Sequence, residues 1–318
     1  MTVVPNVRLS SGHDMPIFGL GTWQSKPGEV GAAVKIALNA GYRHIDCAFV
    51  YQNQKEIGQA LTEVFAEGKI KREEVFITSK VWNTFHSYGQ AKINIDTILN
   101  ELQLEYIDLL LIHWPQGYEE GGEIFPLNED GKMRFSNEDY LDTWKALEEA
   151  HNNGKVRSIG ISNFNHKQIE RLWAVANIKP AVLQVELHPF FQQEKLRAYC
   201  ASKNIAVTAY SPLGNPGSAF FRKEGDPDVI GNEHIGAVAS AHGKTPAQIT
   251  LRWFIEHGII VIPKSSSEKR IKENIDIFDF KLTPQEVATI DGVNKNWRLV
   301  DPSPRDGDHP HFAFNEEF

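Results

Sequence analysis

Hydrophobic and polar positions follow two rhythms that alternate along this chain. Short apolar runs of strand length are each followed by a longer segment in which apolar residues recur every three or four positions, as on one face of a helix. The predicted strands are 17–23, 43–48, 75–80, 107–113, 156–162, 182–187, 206–211 and 259–263. The predicted helices are 28–40, 53–67, 88–103, 138–153, 165–176, 192–203 and a pair near 231–257.

Strands that alternate with helices predict a parallel sheet. Eight strand units are also the number that closes a (β/α)8 TIM barrel, so we expect an α/β barrel forming a single domain over residues 1–318. Before it, NVRLSSGHDMP predicts a hairpin with Gly12 and Asp14 in its turn. The run at 17–23 is either the first barrel strand or part of a hairpin at the barrel floor.

Two long connections, 114–137 and 212–230, follow predicted strands and therefore belong to the face of the barrel where the strands end. Connections of this length typically act as lids over a site or are disordered. The tail at 296–318 is rich in proline, glycine and aromatic residues. We expect no regular helix in it, and we expect it to fold over the same face.

Charge and composition limit the partners. The net charge is −8, which disfavours nucleic acid and anionic membranes as partners. Neither Cys47 nor Cys200 belongs to a CxxC motif, so a zinc site, another metal site or a disulfide scaffold is not expected. The N-terminus lacks the apolar core of a signal peptide and no stretch is apolar over bilayer length. A reducing, cytoplasmic setting fits these features best.

Reactive side chains stand at the ends of successive predicted strands. Asp46, Lys80 and His113 end or nearly end three of them, and Tyr51 follows the first. Taken singly, each has an ordinary structural explanation: a capping carboxylate, a surface lysine, a core histidine and a packed aromatic ring. Strand ends converge on one mouth in a barrel, however, and there the four side chains form a site for proton transfer.

The predicted chemistry is protonation of an alkoxide as a hydride arrives at carbon. A free phenol has a pKa of about 10, and we expect the Lys80 ammonium, held by Asp46, to lower the pKa of Tyr51. The His113 imidazole is expected to donate a hydrogen bond to a carbonyl oxygen. No side chain can supply a hydride, so this chemistry requires a cofactor.

The phosphate site of that cofactor is predicted at the last strand. GLGTWQ (19–24) lacks the third glycine of a GxGxxG loop, so a Rossmann site is rejected. At 262–275, Lys264 ends the eighth strand, and three serines lead into a helix that begins with cationic residues. A serine helix cap with solvated charges would explain this segment equally well. Its location favours phosphate binding, because barrels commonly bind phosphate after their last strands.

Aromatic residues predict the rest of the site. Tyr210 is placed to stack on a nicotinamide ring. Trp23, Trp82 and Trp114 lie at or just beyond strand ends. Any one of these tryptophans is accounted for by core packing, but three at one face predict an apolar substrate pocket.

At this point the chain resembles the aldo-keto reductase superfamily and, within it, the aldose reductase and aldehyde reductase group. The resemblance extends over essentially the whole length. It is carried by the ordered segments GLGTW, GYRHIDCAFVYQNQKEIG, SKVW, LIHWP, GISNF, QVELHP, AYSPLG, IPKS with the following RIKEN, and FDFKL.

The resemblance implies a barrel that binds extended NADPH without a Rossmann domain, with Tyr51 as general acid of a tetrad. The steroid double-bond reductases of the superfamily carry Glu at the position of His113, so this chain resembles them less. The implied cofactor contacts are Thr22, Trp23, Asp46, Ser162, Asn163, Gln184, Tyr210, Ser211, Leu213, Lys264, Ser265, Ser266, Ser267, Arg270, Glu273 and Asn274. The implied substrate contacts are Trp23, Tyr51, Trp82, His113, Trp114, Phe125 and Trp297.

These contacts divide by cofactor group. Ser162, Asn163, Gln184 and stacked Tyr210 are implied at the nicotinamide. The resemblance then places Ser211 and Leu213 along the pyrophosphate. The implied 2′-phosphate contacts are Lys264, Ser265, Ser267 and Arg270, with Glu273 and Asn274 at the adenine.

The implied function is NADPH-dependent reduction of aldehydes and some ketones by a cytoplasmic monomer. The alternative is a non-catalytic member that binds NADPH as a redox sensor or structural protein, against which the complete tetrad argues. A hydrolase with paired carboxylates is weaker still, because the strand ends offer Asp46 and Glu186 without a pair placed to activate water. Val300, Asp301 and Pro302 occupy the specificity loop, so a sugar preference is not carried over.

The cofactor clasp departs from the family pattern. Aldose reductases typically close a loop over the pyrophosphate with an acidic residue that pairs with lysines, whereas here Gly217 takes the acidic position and Gln24 one lysine position. Without these charges the closed loop loses ion pairing, so we predict faster cofactor release. Stopped-flow fluorescence measures the release rate of NADPH, and a rate as slow as that of clasped relatives would contradict the prediction.

Overall fold

Eight parallel strands form one sheet in the computed structural model, which describes residues 4–216, 218 and 222–318. A separate two-stranded hairpin is formed by β1 (Asn6–Arg8) and β2 (Asp14–Pro16). The barrel strands are β3 (Leu20–Gly21), β4 (His44–Asp46), β5 (Phe76–Val81), β6 (Ile107–Ile112), β7 (Val156–Ser162), β8 (Val182–Glu186), β9 (Ala206–Tyr210) and β10 (Ile260–Val261). Each barrel strand pairs with the next in sequence, which confirms the predicted parallel sheet.

The sheet closes between its first and last strands. Phe18 bridges Val261 and Gly21 bridges Lys264, both in parallel. The Gly19 amide donates to the Val261 carbonyl at 2.9 Å, and the Val261 amide donates to the Ile17 carbonyl at the same distance. The run at 17–23 is therefore the first barrel strand, and the closed α/β barrel is confirmed.

Helices separate the barrel strands at the predicted places, and further helices follow the last strand. Their bounds are α1 (Val30–Ala40), α2 (Gln54–Ala66), α3 (Tyr88–Leu102), α4 (Tyr140–Asn152), α5 (His166–Val175), α6 (Glu194–Ser202), α7 (Glu233–His242), α8 (Pro246–Glu256), α9 (Glu268–Ile275), α10 (Pro284–Asp291) and α11 (Ser303–Asp306). Local chemistry sets several ends: the Ser87 hydroxyl accepts from the Gln90 amide before α3, and Thr245 with Gln248 forms a capping box before α8.

Three details differ from the sequence predictions. Asp14 does not belong to the hairpin turn but begins β2, where its carboxylate accepts from Arg8 at 3.1 Å. Of the two residues predicted for the turn, only Gly12 lies in it, with a φ of +85°. Helix α10 was not predicted, although Thr283 and Pro284 mark its start. The tail contains the four-residue α11, which is too short for helical periodicity to reveal.

The two ends of the barrel are closed differently. At the floor, the hairpin places the Ser11 hydroxyl 2.7 Å from that of Ser158. At the opposite end, the fully buried Asp306 of the tail accepts from Gln116 at 3.1 Å and from the Tyr118 hydroxyl at 2.7 Å. The tail therefore folds over the mouth of the barrel, as expected. Among the described residues, none of the helices has the length and apolarity needed to cross a membrane.

Close packing between helices α2 and α3 generates a stability prediction. A methyl group built on Gly58 in α2 would lie 2.4 Å from the Glu101 carbonyl oxygen, which belongs to α3 backbone. We expect Gly58→Ala to lower the free energy of unfolding by about 1–3 kcal/mol, because the helices must move apart. The measurement is chemical denaturation followed by circular dichroism.

Gly236 offers a matched control. It also lies inside a helix, α7, but a methyl group built on it meets no atom within 4 Å. Gly236→Ala should raise the free energy of unfolding by up to about 1 kcal/mol through helix propensity. Equal effects of the two substitutions would contradict the packing argument.

Candidate active site

A buried ion pair occupies the mouth of the barrel. Asp46 ends β4, and Lys80 lies near the end of the adjacent β5. The Lys80 Nζ is 2.6 Å from the Asp46 Oδ1, and the two side chains are only 0% and 3% exposed. The ammonium also donates to the Cys47 carbonyl at 2.8 Å, while the second Asp46 oxygen accepts from Gln184 at 2.8 Å. Both charges thus have protein groups as hydrogen-bond partners.

Tyr51 and His113 complete the group of four. Tyr51 ends a short 3-10 helix, Phe49–Tyr51, directly beyond β4. The Lys80 Nζ lies 5.2 Å from the centroid of the Tyr51 ring. The rings of Tyr51 and His113 meet edge to face with centroids 5.9 Å apart. The structure therefore brings together the four side chains that the strand ends predicted.

The phenol of Tyr51 is less acidic than the sequence predicted. Burial raises the pKa of Tyr51 well above its usual value, and the Asp46 carboxylate raises it further. The predicted net lowering of this pKa is therefore wrong, because the effect of burial exceeds that of the Lys80 ammonium. Its positive charge is balanced by Asp46 at hydrogen-bond distance, so the charge does not offset the desolvation of a phenolate. Tyr51 consequently keeps its proton at neutral pH.

His113 is held as a neutral imidazole. Burial lowers the pKa of His113 well below its usual range, and the nearby Lys80 ammonium lowers it further. Its ring also meets that of Trp82 edge to face, with centroids 5.2 Å apart. A neutral imidazole has one N–H donor, which suits a hydrogen bond to an uncharged carbonyl oxygen.

The predicted nicotinamide contacts form a connected hydrogen-bond network. Asn163 has the left-handed φ of +61°, and its amide nitrogen donates to the His113 carbonyl at 3.0 Å and to the Ser162 hydroxyl at 3.2 Å. The Tyr210 hydroxyl donates to the Asn163 amide oxygen at 2.8 Å. This network fixes the Asn163 side chain beside the proton-transfer residues.

Beside that network, the Thr22 hydroxyl donates to the Asp46 carbonyl at 2.7 Å. Trp23 is half-buried in the loop after β3. Ser211 has a φ of +53° at the start of the next loop, and Leu213 is half-buried there. Gly217, named in the clasp prediction, lies outside the described residues.

The predicted phosphate site lies at the start of α9. Ser267 caps this helix, and the Ser265 hydroxyl accepts from the Ser267 amide at 3.1 Å. Lys264 donates to the Gln24 carbonyl at 3.3 Å, and within the described part of the chain neither Lys264 nor Arg270 forms an ion pair. Ser266 is exposed. Of the two predicted adenine contacts, Glu273 is half-buried and Asn274 is buried.

These residues fit a phosphorylated dinucleotide. A helix N-terminus provides amide donors and a positive dipole end. Serine hydroxyls add further donors, and two cations that form no ion pair with a described residue add charge-assisted donors. Such a set suits a dianionic phosphate better than an uncharged ribose hydroxyl. The cations also oppose the net negative charge of the chain.

The predicted substrate aromatics divide into two places. Trp82 and Trp114 belong to a buried apolar cluster with Tyr118 and Met133. Phe125 is 40% exposed and its ring centroid is 5.3 Å from that of Trp82. Trp297 is 44% exposed and lies apart from this cluster, where its Nε1 donates to Asp226 at 3.0 Å.

Comparisons with known proteins give matches over nearly the whole chain. The model of the aldo/keto reductase family matches residues 17–295. Aldo-keto reductase family 1 member A1 from Mus musculus is 47% identical over 322 residues, covering 98% of this chain and 99% of that protein.

The chain belongs to the aldo/keto reductase family. The human aldo-keto reductase family 1 member A1 is 46% identical, with 98% of each chain covered. The aldose reductase structure from Schistosoma japonicum has a TM-score of 0.92 at 42% identity, covering 98% of this chain and 99% of that one. A Bombyx mori aldo-keto reductase solved in complex with NADP has a TM-score of 0.87 at 40% identity, covering 98% and 100%.

The sequence did not predict several contacts around the site of this aldo/keto reductase. Phe314 of the tail packs its ring against Trp114, with centroids 5.6 Å apart. Asp306 joins the tail to the loop after β6. Glu186 accepts from two tail amides and faces His188, so it is not available to pair with Asp46 as a hydrolase would require. The aromatic content of the tail was the one available signal, since these contacts span long sequence separations.

The neutral state of His113 generates a pH prediction for the reductase. An unperturbed imidazole titrates near pH 6.5, at about the midpoint of an ordinary assay range. Because the pKa of His113 is held well below this value, the imidazole stays neutral as the pH falls through it, and KM for an aldehyde should stay constant. Steady-state kinetics between neutral and mildly acidic pH measure this, with a melting curve at each pH to exclude unfolding. A rise in KM centred near the free imidazole value would contradict it.

Proposed function

We propose that this aldo/keto reductase reduces aldehydes and some ketones to alcohols, with NADPH as the reductant and Tyr51 as the proton donor. Membership of the family and the NADP complex of the Bombyx mori relative support the cofactor and the reaction class. The observation that carries the assignment of Tyr51 is the position of its ring at the barrel mouth, where it lies beside the Lys80 ammonium and meets the His113 ring edge to face.

NADPH supplies the hydride when bound, and the side chains manage the proton and the charge. His113 donates a hydrogen bond to the carbonyl oxygen and orients the carbonyl group. Tyr51 gives its proton to that oxygen as negative charge develops there. Lys80 stabilises the phenolate that remains, and Asp46 holds Lys80 in place. Asp46, Lys80 and His113 are all buried, so solvent screens their charges and hydrogen bonds only weakly.

The preference for NADPH over NADH rests on the start of α9. Lys264, Ser265, Ser267 and Arg270 are proposed to hold the 2′-phosphate there. Glu273 and Asn274 are proposed to contact the adenine. The nicotinamide is proposed to stack on Tyr210 and to contact Ser162, Asn163 and Gln184, whose hydrogen bonds already link them to one another or to Asp46.

The substrate is proposed to be a small carbonyl compound with an apolar body. Trp82, Trp114 and Phe125 provide apolar surface near the tetrad, and Trp23 and Trp297 are proposed to complete the pocket. We further propose one domain over residues 1–318 that acts as a cytoplasmic monomer without nucleic-acid partners. The continuous buried core supports the single domain, and the net charge of −8 disfavours nucleic acid as a partner.

Removal of one hydroxyl tests the proton donor. We expect Tyr51→Phe to lower kcat for an aromatic aldehyde by about 10²–10⁴-fold, because general acid catalysis is lost. The decrease of NADPH absorbance in the near ultraviolet measures turnover, and quenching of protein fluorescence measures NADPH binding, which should persist.

Tyr199→Phe is the matched control. Tyr199 lies in α6, where its hydroxyl donates to Glu170 of α5 on the outside of the barrel. This variant should turn over like the wild type. Full activity of Tyr51→Phe would exclude Tyr51 as the acid, and wild-type NADPH binding without turnover of any carbonyl compound would instead support a non-catalytic role.

A further inference from the structure

Glu186 joins the end of barrel strand β8 to the tail. Its side chain is fully buried, and one carboxylate oxygen accepts from the Leu299 amide at 2.7 Å and faces His188 Nε2 at 2.9 Å. The other oxygen accepts from the Val300 amide at 2.9 Å. The Trp297 amide is held as well, because it donates to the Phe190 carbonyl at 2.9 Å. Residues 297–300, the tail segment, are therefore bound to the β8 end through their backbone.

One side of the tail segment supports the loop after β9. The Trp297 Nε1 donates to Asp226 of this loop at 3.0 Å. A methyl group built on Gly214 would lie 3.6 Å from Leu299 Cδ1, so Leu299 packs directly beside Gly214. Gly214 follows Leu213, the proposed pyrophosphate contact. The tail segment thus adjoins the start of the loop, which the resemblance places along the pyrophosphate of the cofactor.

The other side of the tail segment adjoins the substrate aromatics. The Arg298 guanidinium lies 3.6 Å from the ring centroid of Phe314 and 4.5 Å from that of Phe191. Phe314 in turn contacts Trp114 of the proposed pocket. The tail segment is therefore a wall shared by the cofactor loop and the substrate pocket.

We propose that Glu186 is a positioning residue that sets the affinity for substrate and the rate of cofactor release together, a role that rests on the proposed function. Its buried carboxylate accepts charge-assisted hydrogen bonds from two consecutive tail amides, which fixes the direction of the tail segment at the mouth. Loss of one acceptor frees Val300 and its neighbours, so Trp297 and Leu299 no longer hold their positions against the loop.

Glu186→Gln tests this role with little change in volume. The amide group retains one acceptor but presents an N–H group to a backbone N–H group. We expect KM for an aldehyde and the dissociation rate of NADPH each to rise about tenfold, which is the effect of losing one hydrogen bond to a charged group. The single-turnover rate at saturating aldehyde should change by less than about threefold, because the tetrad is intact.

Glu148→Gln is a matched control at the other end of the barrel. One oxygen of the buried Glu148 accepts from two consecutive amides in the connection that leads into β8, those of Asn177 at 2.7 Å and Ile178 at 2.8 Å. Its other oxygen accepts from the Asn177 side-chain amide at 3.2 Å, and Glu148→Gln removes this contact. This variant should lose thermal stability without a change in KM or in NADPH dissociation. If Glu186→Gln behaves in the same way, Glu186 has only a structural role and the proposal is overturned.

Leu299→Ala provides a second route if Glu186→Gln does not fold. Loss of its packing against Gly214 should accelerate NADPH dissociation in stopped-flow fluorescence, and an unchanged rate would overturn the proposal. NADPH dissociation can be measured without turnover. A wild-type protein that binds NADPH but reduces no aldehyde therefore refutes the proposed function, while the effect on dissociation still decides the role of Glu186.

Discussion

The buried ion pair between Asp46 and Lys80 is the interaction on which the site depends. Two charges removed from water are stable only while each keeps its partners, and removal of one partner costs about 3–5 kcal/mol. Here Lys80 has Asp46 and the Cys47 carbonyl, and Asp46 has Lys80 and Gln184. The pair itself joins the adjacent strands β4 and β5, but the Gln184 contact that completes the partners of Asp46 forms only when the sheet has curled far enough to bring β8 opposite β4. Barrel closure and assembly of the site are therefore coupled.

The same burial determines the protonation states around the pair. The pKa of Tyr51 is raised and the pKa of His113 is lowered, and desolvation is the leading cause of both shifts. Low polarity favours the uncharged form of either group. The phenol therefore keeps its proton, and the imidazole stays neutral with a single N–H group. A neutral donor on each side of a carbonyl oxygen is the arrangement that reduction requires, since negative charge then develops only during the reaction.

The barrel and the tail contribute different parts of the site. Strand ends hold the proton-transfer residues on rigid backbone, whereas the walls of the mouth come from loops and from residues 297–318. Those walls are attached by buried polar contacts: Asp306 to Gln116 and Tyr118, and Glu186 to the amides of Leu299 and Val300. Buried carboxylates satisfied by such donors fix a loop more firmly than apolar contacts alone, because each unmade hydrogen bond carries a desolvation cost.

Local sequence pattern was sufficient for the eight barrel strands, the helices between them and the four strand-end residues Asp46, Tyr51, Lys80 and His113. Periodicity and strand ends are properties of short segments, and a parallel barrel converts them into one site. The sign of the Tyr51 pKa shift and the partners of Glu186 were beyond such reasoning. Desolvation depends on everything packed around a group, and the Glu186 contacts join residues 113 and 114 positions apart. These features exist only once the chain has folded, because no short segment of the sequence contains both partners.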